Sequence, residues 1–443
     1  MAAALGVLVS CGSVKSGEEV VAASRDSKVV VAYVTSWSEV MPDPQYMTHI
    51  NYAFGHVNES FNGVKIDNEE RLRQIVDLRK QKPELKVLLS IGGWGSGRFS
   101  EMAANDEYRR AFAADCDRVV KEFALDGIDI DWEYPTSSMA NISSSPDDTE
   151  NFTLLMQDIR AAIGNEKELT LATVASARYI DFKAILPSVD FVNIMAYDMA
   201  SAPKHHSALY PSGHSGDITS DGAVTAHLKA GVPPSKLVMG MPFYGRGGDG
   251  YPSFQDYNKV GNTDTQYTEK WDEVAQVPYL ADKNDTLVFG FENPRSLAIK
   301  CQYILDKDLL GGMYWDYSGD NEQGDLRRTV AENLLGKPHK AKVLVLTERG
   351  GQHGGFTDAG LRWLAAEGVK GNFSITEINN ARNITEAYLS QFSLVIQLDF
   401  PPYTWPKEAE DAFVKYIEEG RGGWIGFHHA TLLGEFDGYP MWQ

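Results

Sequence analysis

Three carboxylates stand two residues apart in the segment Asp126–Pro135, which reads Asp-Gly-Ile-Asp-Ile-Asp-Trp-Glu-Tyr-Pro. Side chains alternate between the two faces of a strand, so Asp129, Asp131 and Glu133 point the same way. Carboxylates aligned on one buried face repel each other unless they share protons and hydrogen bonds. A proton held between the inner two raises the pKa of Glu133, which can then act as a general acid. The alternatives are a divalent metal site and a structural acidic cluster, but metal sites usually draw carboxylates from several strands.

The strand that carries these carboxylates is one of eight apolar runs that alternate with amphipathic helical segments. Eight such units over residues 27–336 predict a (β/α)8 TIM barrel, with a doubly wound open sheet as the alternative. The predicted strands are Val29–Val34, His49–Phe54, Lys86–Leu89, Gly127–Asp131, Leu169–Val174, Phe191–Met195, Leu237–Met241 and Gly312–Trp315. The predicted helices include Glu69–Lys82, Glu107–Leu125 and Thr149–Ile163.

Motifs at the ends of these strands resemble those of the family 18 glycoside hydrolases, the chitinases and endo-β-N-acetylglucosaminidases. The acidic segment is similar to the family's D-x-x-D-x-D-x-E motif. Four further matches follow in family order: Ser90-Ile-Gly92-Gly93, Met195-Ala-Tyr197-Asp198, Gly240-Met-Pro-Phe-Tyr244-Gly-Arg246 and Gly311-Gly-Met-Tyr-Trp315. All lie at the carboxyl ends of strands, where barrel enzymes place their sites. The resemblance covers residues 27–336 and favours the barrel over the open sheet.

The resemblance implies a retaining reaction in which the N-acetyl group of the sugar attacks its own anomeric carbon. Glu133 then protonates the leaving oxygen and later activates water. Asp131 orients the acetamide, Asp129 tunes the proton that it shares with Asp131, and Tyr197 donates its hydroxyl toward the attacking oxygen. The resemblance places a further set of residues at the substrate: Asp198, Trp315, Met195, Tyr33, Phe54, Trp94, Tyr244 and Arg246.

Charge and cysteine content exclude several other kinds of protein. The 443-residue chain has 41 Lys+Arg and 61 Asp+Glu, a net charge of −20, which repels nucleic acid and anionic membrane surfaces. Its three cysteines lack metal or redox spacing, so we expect no metal and no cofactor. Cys116 and Cys301 are predicted to be buried in helices, and His205-His206 to be a solvated loop pair.

The expected partner is an oligo- or polysaccharide that contains N-acetylglucosamine, and the expected oligomeric state is a monomer. Chitin is the first substrate hypothesis and an N-glycan core is the second. A chitin-binding lectin on the same barrel is the alternative outside the enzymes, although such lectins usually lack the acid that Glu133 supplies here. Ser90, Gly92 and Gly93 are expected to shape the backbone beside the substrate.

The segment after the seventh strand bears on the shape of the cleft. Many family members insert a sizeable lobe between the seventh and eighth strands. Here Gly247–Thr268 is short and polar, which predicts a shallow, open cleft. Such a cleft suits soluble or branched chains.

The first 26 residues are predicted to contain a lipoprotein targeting signal followed by a polar tether. Leu8-Val9-Ser10-Cys11 resembles a bacterial lipobox, in which the cysteine is lipidated. The apolar run is short and no Lys or Arg precedes it, so a frayed apolar terminus is the alternative. The expected location is the bacterial cell envelope or the extracellular space, with Cys11 as the membrane anchor.

Residues 341–443 predict a second α/β unit. They resemble the ThuA-like (trehalose utilisation) domains, flavodoxin-like folds related to glutamine amidotransferases. The amidotransferase nucleophile is missing, since no cysteine follows Cys301. His353, His428 and His429 fall at predicted strand ends or their loops, where α/β folds bind ligands, but a structural appendage is an equal alternative. The chain stops soon after the fourth predicted strand, which suggests a truncated domain.

Overall fold

Eight parallel strands close into a barrel in the computed structural model, which describes residues 28–248, 251–260, 266–336, 341–347, 354–371, 373–398 and 405–427. The first strand pairs with the second through Val31 and His49, and with the eighth through Val29 and Gly311, so the barrel is closed. The strands are Val29–Thr35, His49–Val57, Lys86–Gly92, Gly127–Asp131, Glu168–Val174, Phe191–Met195, Leu237–Pro242 and Gly311–Trp315. A ninth, short strand of the same sheet, Val64–Ile66, pairs antiparallel with the second strand. All eight predicted strands and the predicted barrel are confirmed.

Helices pack on the outside of the barrel against the apolar residues that point away from its axis, among them Ile128 and Ile130. Complete burial of such side chains stabilises the fold by about 1.5–3 kcal/mol each. The α-helices are Glu69–Val76, Phe99–Ala104, Asp106–Glu122, Asp148–Ile163, Phe182–Ile185, Ser220–Lys229, Pro294–Asp306 and Asp325–Leu334. Cys116 and Cys301 are buried in two of these helices, as predicted.

The barrel interior is apolar at one level and polar at another. Apolar side chains that include Val31, Val238 and Met313 form a small inner cluster. Beside it lie completely buried polar side chains contributed by five strands: Asn51, Ser90, Asp129, Thr170 and Asn193. A buried polar layer is stable only when its members bond to one another, and this one is built around a carboxylate.

A five-stranded antiparallel sheet, here called the insert sheet, lies between the seventh and eighth barrel strands. Its strands are Tyr244–Gly247, Gln255–Asp256, Thr268–Asp272, Val277–Ala281 and Leu287–Gly290. The prediction of a short polar connection was therefore wrong. It considered Gly247–Thr268 alone and overlooked two β-prone runs, Val277-Pro-Tyr-Leu-Ala and Leu287-Val-Phe-Gly, which bury apolar side chains such as Phe289.

The chain divides into two compact units after Gly336, and the second unit has its own parallel sheet. Ala341–Leu346 is an inner strand, flanked by Phe373–Ile378 and Leu394–Gln397, and Gly423–Gly426 follows at the edge. Its helices are Gly354–Gly371, Glu386–Leu389 and Lys407–Glu418. These elements agree with the predicted second α/β unit. The predictions for Cys11, His353, His428 and His429 lie outside the described residues.

Candidate active site

The three carboxylates Asp129, Asp131 and Glu133, here called the acidic file, lie along the fourth barrel strand and just beyond its carboxyl end. Asp129 is completely buried, Asp131 is 4% exposed and Glu133, just beyond the strand, is 9% exposed. In the neighbouring strands Ser90 and Thr170 stand level with Asp129, because adjacent parallel strands keep a fixed register. The gradient of exposure runs toward the cleft, so Glu133 is the carboxyl that a substrate can reach.

Asp129 accepts four hydrogen bonds, two on each carboxylate oxygen. Tyr33 and Ser90 hydroxyls donate to Oδ2, both at 2.8 Å. Thr170 donates to Oδ1 at 2.6 Å and the Asn193 amide donates to the same atom at 3.3 Å. Burial raises the pKa of Asp129, while these four donors lower it. Asp129 is therefore held in place by the interior polar layer and has no free oxygen with which to attack a sugar.

Asp131 stands one step closer to the cleft and is partnered differently. Its Oδ1 is buried and has no hydrogen-bond partner among the described residues. Burial raises its pKa well above the ordinary value, and the charges of Glu133 and Asp129 raise it further. A buried acceptor without a donor costs about 1–3 kcal/mol, so the site is arranged to receive a donor from outside the protein.

Glu133 is the most exposed of the three carboxyls and lines the cleft. Its pKa is raised from 4.5 to about 7, chiefly by burial and also by the charge of Asp198, against a hydrogen bond with Tyr134 that lowers it. The sequence argument attributed this shift to a proton shared by the two inner aspartates, whereas burial is the main cause. A carboxyl with a pKa near 7 is suited to both the acid and the base step at neutral pH.

Asp198 lies after the sixth strand, and its pKa is shifted in the opposite direction to that of Glu133. The Arg246 guanidinium contacts both of its oxygens at 2.6 Å, and His206 Nδ1 lies 3.5 Å from Oδ1. Burial alone would raise the pKa of Asp198, but its contacts with Arg246 and His206 outweigh burial and hold the pKa below its usual range. Asp198 is therefore a permanent anion beside Glu133.

Tyr197 precedes Asp198 and points into the same site. Its hydroxyl lies 3.9 Å from the Met313 sulfur. Burial raises the pKa of Tyr197 well above its ordinary value, and the charges of Asp131 and Glu133 add to the rise. The hydroxyl therefore keeps its proton and can donate a hydrogen bond to a substrate oxygen.

An aromatic wall closes the other side of the site. Trp315, at the end of the eighth strand, stacks on Phe54 with ring centroids 5.6 Å apart, and Tyr33 lies at the same distance from it. Trp94 is 62% exposed and Trp37 is 64% exposed, so both rings offer open faces. Aromatic faces of this kind stack on the apolar faces of sugar rings.

A cavity of about 890 Å³ unites these residues, and every predicted site residue except Asp129 lines it. The predicted residues on its walls are Asp131, Glu133, Tyr197, Asp198, Trp315, Met195, Tyr33, Phe54, Trp94, Tyr244 and Arg246. Asp129 lies beneath the cavity, bonded to Tyr33. This volume lies within the range of cavities that hold a ligand of several rings.

The structure adds lining residues that the sequence argument missed. Trp37, Tyr134, Met139, Tyr179 and Phe254 line the same cavity. Phe254 belongs to the part of the chain assigned to a polar loop, yet its ring stacks on Tyr244 at 4.7 Å. Tyr134 belongs to the acidic segment itself, but the sequence argument gave it no role, and the other four lie in none of the matched motifs.

Two glycines shape the site as predicted, and a serine does more than predicted. Gly92 has a φ of 132°, and a Cβ there would lie 1.9 Å from the Asp131 carbonyl oxygen. A Cβ on Gly93 would strike the Phe54 ring at 2.6 Å. Ser90 was expected to serve backbone geometry, but its hydroxyl bonds Asp129.

The histidine pair was predicted wrongly. His205 and His206 are 2% and 1% exposed, and His205 Nε2 contacts Asp272 of the insert sheet at 3.2 Å. The loop prediction could not anticipate that this sheet covers the pair. In the described part of the chain, no group of three or more His, Cys, Asp or Glu side chains is arranged to hold a metal ion.

The motifs, the closed barrel and the cleft define a family. Residues 29–320 match the model of the glycosyl hydrolases family 18, and residues 342–443 match that of trehalose utilisation (ThuA). The chain belongs to the family 18 glycosyl hydrolases and carries a ThuA domain after the barrel. Among its described residues, no helix is both long and apolar enough to traverse a lipid bilayer.

Three relatives illustrate the similarity. Chitinase A1 of Niallia circulans is 30% identical over 409 residues, which cover 68% of this chain and 58% of that protein. Chitotriosidase-1 of Mus musculus is 31% identical over 350 residues, with 67% and 74% covered. The solved family 18 N-acetylglucosaminidase from Paenibacillus barengoltzii has a TM-score of 0.64 at 32% identity, covering 69% of this chain and 100% of that one. The match thus spans little more than half of Chitinase A1.

Proposed function

We propose that the barrel hydrolyses β-1,4 glycosidic bonds next to N-acetylglucosamine in chitin or chito-oligosaccharides, with retention of configuration and participation of the substrate's acetamide. The named chitinase relatives support this substrate class. The cleft supports it as well, because exposed Trp37 and Trp94 offer stacking faces beside a buried proton donor.

One observation carries the proposal: among the described residues, the buried Asp131 Oδ1 has no hydrogen-bond donor, and Asp131 lies directly below Glu133. The N–H of a substrate acetamide can donate a hydrogen bond to Asp131 Oδ1. A sugar with a hydroxyl in place of the acetamide lacks this N–H. Asp129 cannot serve as nucleophile, because its oxygens accept four hydrogen bonds. We assign the attack to the acetamide carbonyl oxygen of the substrate, as in the substrate-assisted members of family 18.

The proposed steps use groups whose protonation the cleft controls. Glu133 donates its proton to the leaving oxygen as the acetamide oxygen bonds the anomeric carbon. Asp131 accepts the acetamide N–H, and Tyr197 donates its hydroxyl to the acetamide oxygen. Glu133, now ionised, removes a proton from the water that opens the cyclic intermediate. A carboxyl with a pKa of about 7 serves both steps at the same pH.

The test compares chromogenic chitobioside with the matching cellobioside, which carries a hydroxyl in place of the acetamide. Turnover of the first alone is expected. Equal rates on both would mean a protein nucleophile and would overturn substrate assistance. A thiazoline mimic of the cyclic intermediate is expected to inhibit, since it resembles a high-energy state. Binding of chito-oligosaccharide without turnover between pH 4 and 8 would establish a lectin.

A second candidate is the release of single N-acetylglucosamine units from chain ends. The similarity to the N-acetylglucosaminidase of Paenibacillus barengoltzii favours it. Time-resolved product analysis on chitohexaose separates the two, because chain-end release yields monosaccharide from the first turnovers. A high-mannose glycoprotein incubated in parallel tests action on the N-glycan core.

We also propose that the protein is a monomer of the cell envelope or the extracellular space, anchored by a lipid on Cys11. The support is the lipobox-like Leu8-Val9-Ser10-Cys11. Metabolic labelling with a palmitate analogue tests the anchor, with Cys11→Ala as the variant that should lose the label. Light scattering of the protein without its first 26 residues tests the oligomeric state.

A further inference from the structure

His206 is a buried side chain whose ring nitrogens are unused. It lies in the connection between the sixth barrel strand and helix Ser220–Lys229, and its side chain is 0% exposed. Neither ring nitrogen has a hydrogen-bond partner among the described residues, yet Nδ1 lies 3.5 Å from Asp198 Oδ1. Buried polar atoms in native proteins almost always have partners, and the position of Nδ1 points to Asp198 as its partner.

The backbone around His206 is held on both sides. The next residue, Ser207, donates its hydroxyl to Glu292 at 2.6 Å, and its carbonyl accepts from Lys300 at 2.5 Å. Lys300 and Glu292 also form a completely buried ion pair. On the other side His205 contacts Asp272 of the insert sheet. These contacts hold the backbone that carries the His206 side chain beside Asp198.

The ring also packs against the cleft wall. Its centroid lies 5.4 Å from that of Tyr244, the residue that stacks on Phe254. His206 thus meets Asp198 from the buried side, whereas Arg246, with a side chain 32% exposed, meets it from the open side. Asp198 has a φ of 54°, a left-handed conformation that costs a non-glycine residue about 1–2 kcal/mol. Such a conformation persists only when the surroundings over-determine it.

We propose that His206 is a positioning residue, the buried counterpart of Arg246, which together with it fixes the Asp198 carboxylate beside Glu133. The inference rests on the proposed function, because it assumes that Asp198 contacts the sugar next to the acid. A histidine that served packing alone would act on stability without acting through Asp198.

A double-mutant cycle separates the two roles. His206→Phe keeps a ring against Tyr244 and removes both nitrogens, and it is made in the wild type and in Asp198→Asn. We expect kcat/KM on chromogenic chitobioside to fall about tenfold in the wild type and less than about twofold in the Asp198→Asn background, because residues in contact are not additive. His206→Asn, which returns one donor near Asp198, should recover most of the loss.

His205→Gln is the matched control, since this neighbour is equally buried but faces Asp272. It should lower Tm without a change beyond about twofold in kcat/KM, and its effect should be additive with Asp198→Asn. Should His206→Phe show no cooperative unfolding transition, His206→Met replaces it in the cycle.

Equal losses for His206→Phe in both backgrounds would overturn the proposal, and so would failure of His206→Asn to recover activity at unchanged Tm. If the wild type does not turn over chitobioside, the proposed function fails instead. The same cycle is then measured on the affinity for chitotriose by calorimetry, where non-additivity still supports His206 and additivity still refutes it.

Discussion

Carboxylates from two strands face one cleft, and their surroundings shift their pKa values in opposite directions. Asp131 and Glu133 are buried at the end of the fourth strand, and no ion pair joins either of them to a cation in the described part of the chain. Asp198, after the sixth strand, has two contacts of 2.6 Å with Arg246. The pKa of Glu133 consequently rises to about 7, whereas that of Asp198 falls below its usual range.

The difference shows how a single fold raises the pKa of one carboxyl and lowers that of another. Burial without a cation penalises the ionised form, and a bidentate guanidinium favours it. The two carboxyls are also coupled, since the charge of Asp198 contributes to the high pKa of Glu133. Substitutions that remove the acid, the guanidinium or the anionic charge should therefore have effects of predictable relative size.

The largest effect is expected for Glu133→Gln. Removal of a general acid typically costs ~10²–10⁴-fold in rate, so kcat on chromogenic chitobioside should fall by that amount while chitotriose affinity stays within about threefold. Glu107→Gln, an exposed glutamate in the first turn of helix Asp106–Glu122, is the control. A loss below tenfold would assign the acid to another residue.

The same substitution should stabilise the fold at alkaline pH. The folded-state pKa of Glu133, about 7, exceeds its unfolded value near 4.5, so ionisation costs stability as the pH rises from 4.5 to 7. Glu133→Gln avoids this cost, which is on the order of 3 kcal/mol above pH 7 and absent below pH 4.5. Urea denaturation of variant and wild type at pH 4 and pH 8 measures the difference. A gap that does not widen with pH would contradict the raised pKa.

Arg246→Met should weaken the anionic side of the comparison. It keeps most of the side-chain stem and removes both charge-assisted contacts to Asp198, each worth about 1.5–3 kcal/mol. Because Asp198 keeps its buried neighbour His206, we expect kcat/KM to fall about tenfold rather than to vanish. Arg98→Met, which removes an exposed guanidinium outside the cavity, serves as the reference. An unchanged kcat/KM in Arg246→Met would show that the ion pair is not needed.

The smallest effect is a shift in the pH profile. Since Glu133 must be protonated to act as the acid, kcat/KM should decrease as the pH rises through about 7. Asp198→Asn removes a negative charge beside Glu133 and lowers its pKa, so the alkaline limb should move to lower pH by on the order of half a unit. Profiles normalised to their maxima isolate this shift from any loss of rate. A limb that moves to higher pH would have the wrong sign.

Much of the barrel and the acidic file could be predicted because both follow local periodicity. Alternation in Gly127–Asp131 places Asp129 and Asp131 on one face whatever surrounds them. The eight apolar runs likewise lie where the strands are found. The insert sheet was missed because its strands pair only with each other. No α-helix separates them in the described part of the chain, as α-helices separate most strands of the barrel.

Long-range contacts set the rest. Barrel closure and register bring five strands together at one level. Asp129 therefore accepts hydrogen bonds from residues of four other strands, namely Tyr33, Ser90, Thr170 and Asn193. Burial of His206 follows from the fold of the connection beneath the insert sheet. Neither arrangement has a signature in neighbouring residues, since the residues that bond Asp129, and the Tyr244 ring that packs on His206, lie more than thirty residues away in the chain.

By itself the sequence determined which side chains stand at the carboxyl ends of the strands, because strand alternation and motif spacing are local properties. Alternation placed Asp131 and Glu133 on one face, and the resemblance to family 18 added Tyr197 and Asp198. Only the tertiary structure decided their charge states. Burial raises the pKa of one carboxyl and an arginine nearly fifty residues away lowers that of another, and both effects depend on distances through space that no local pattern encodes.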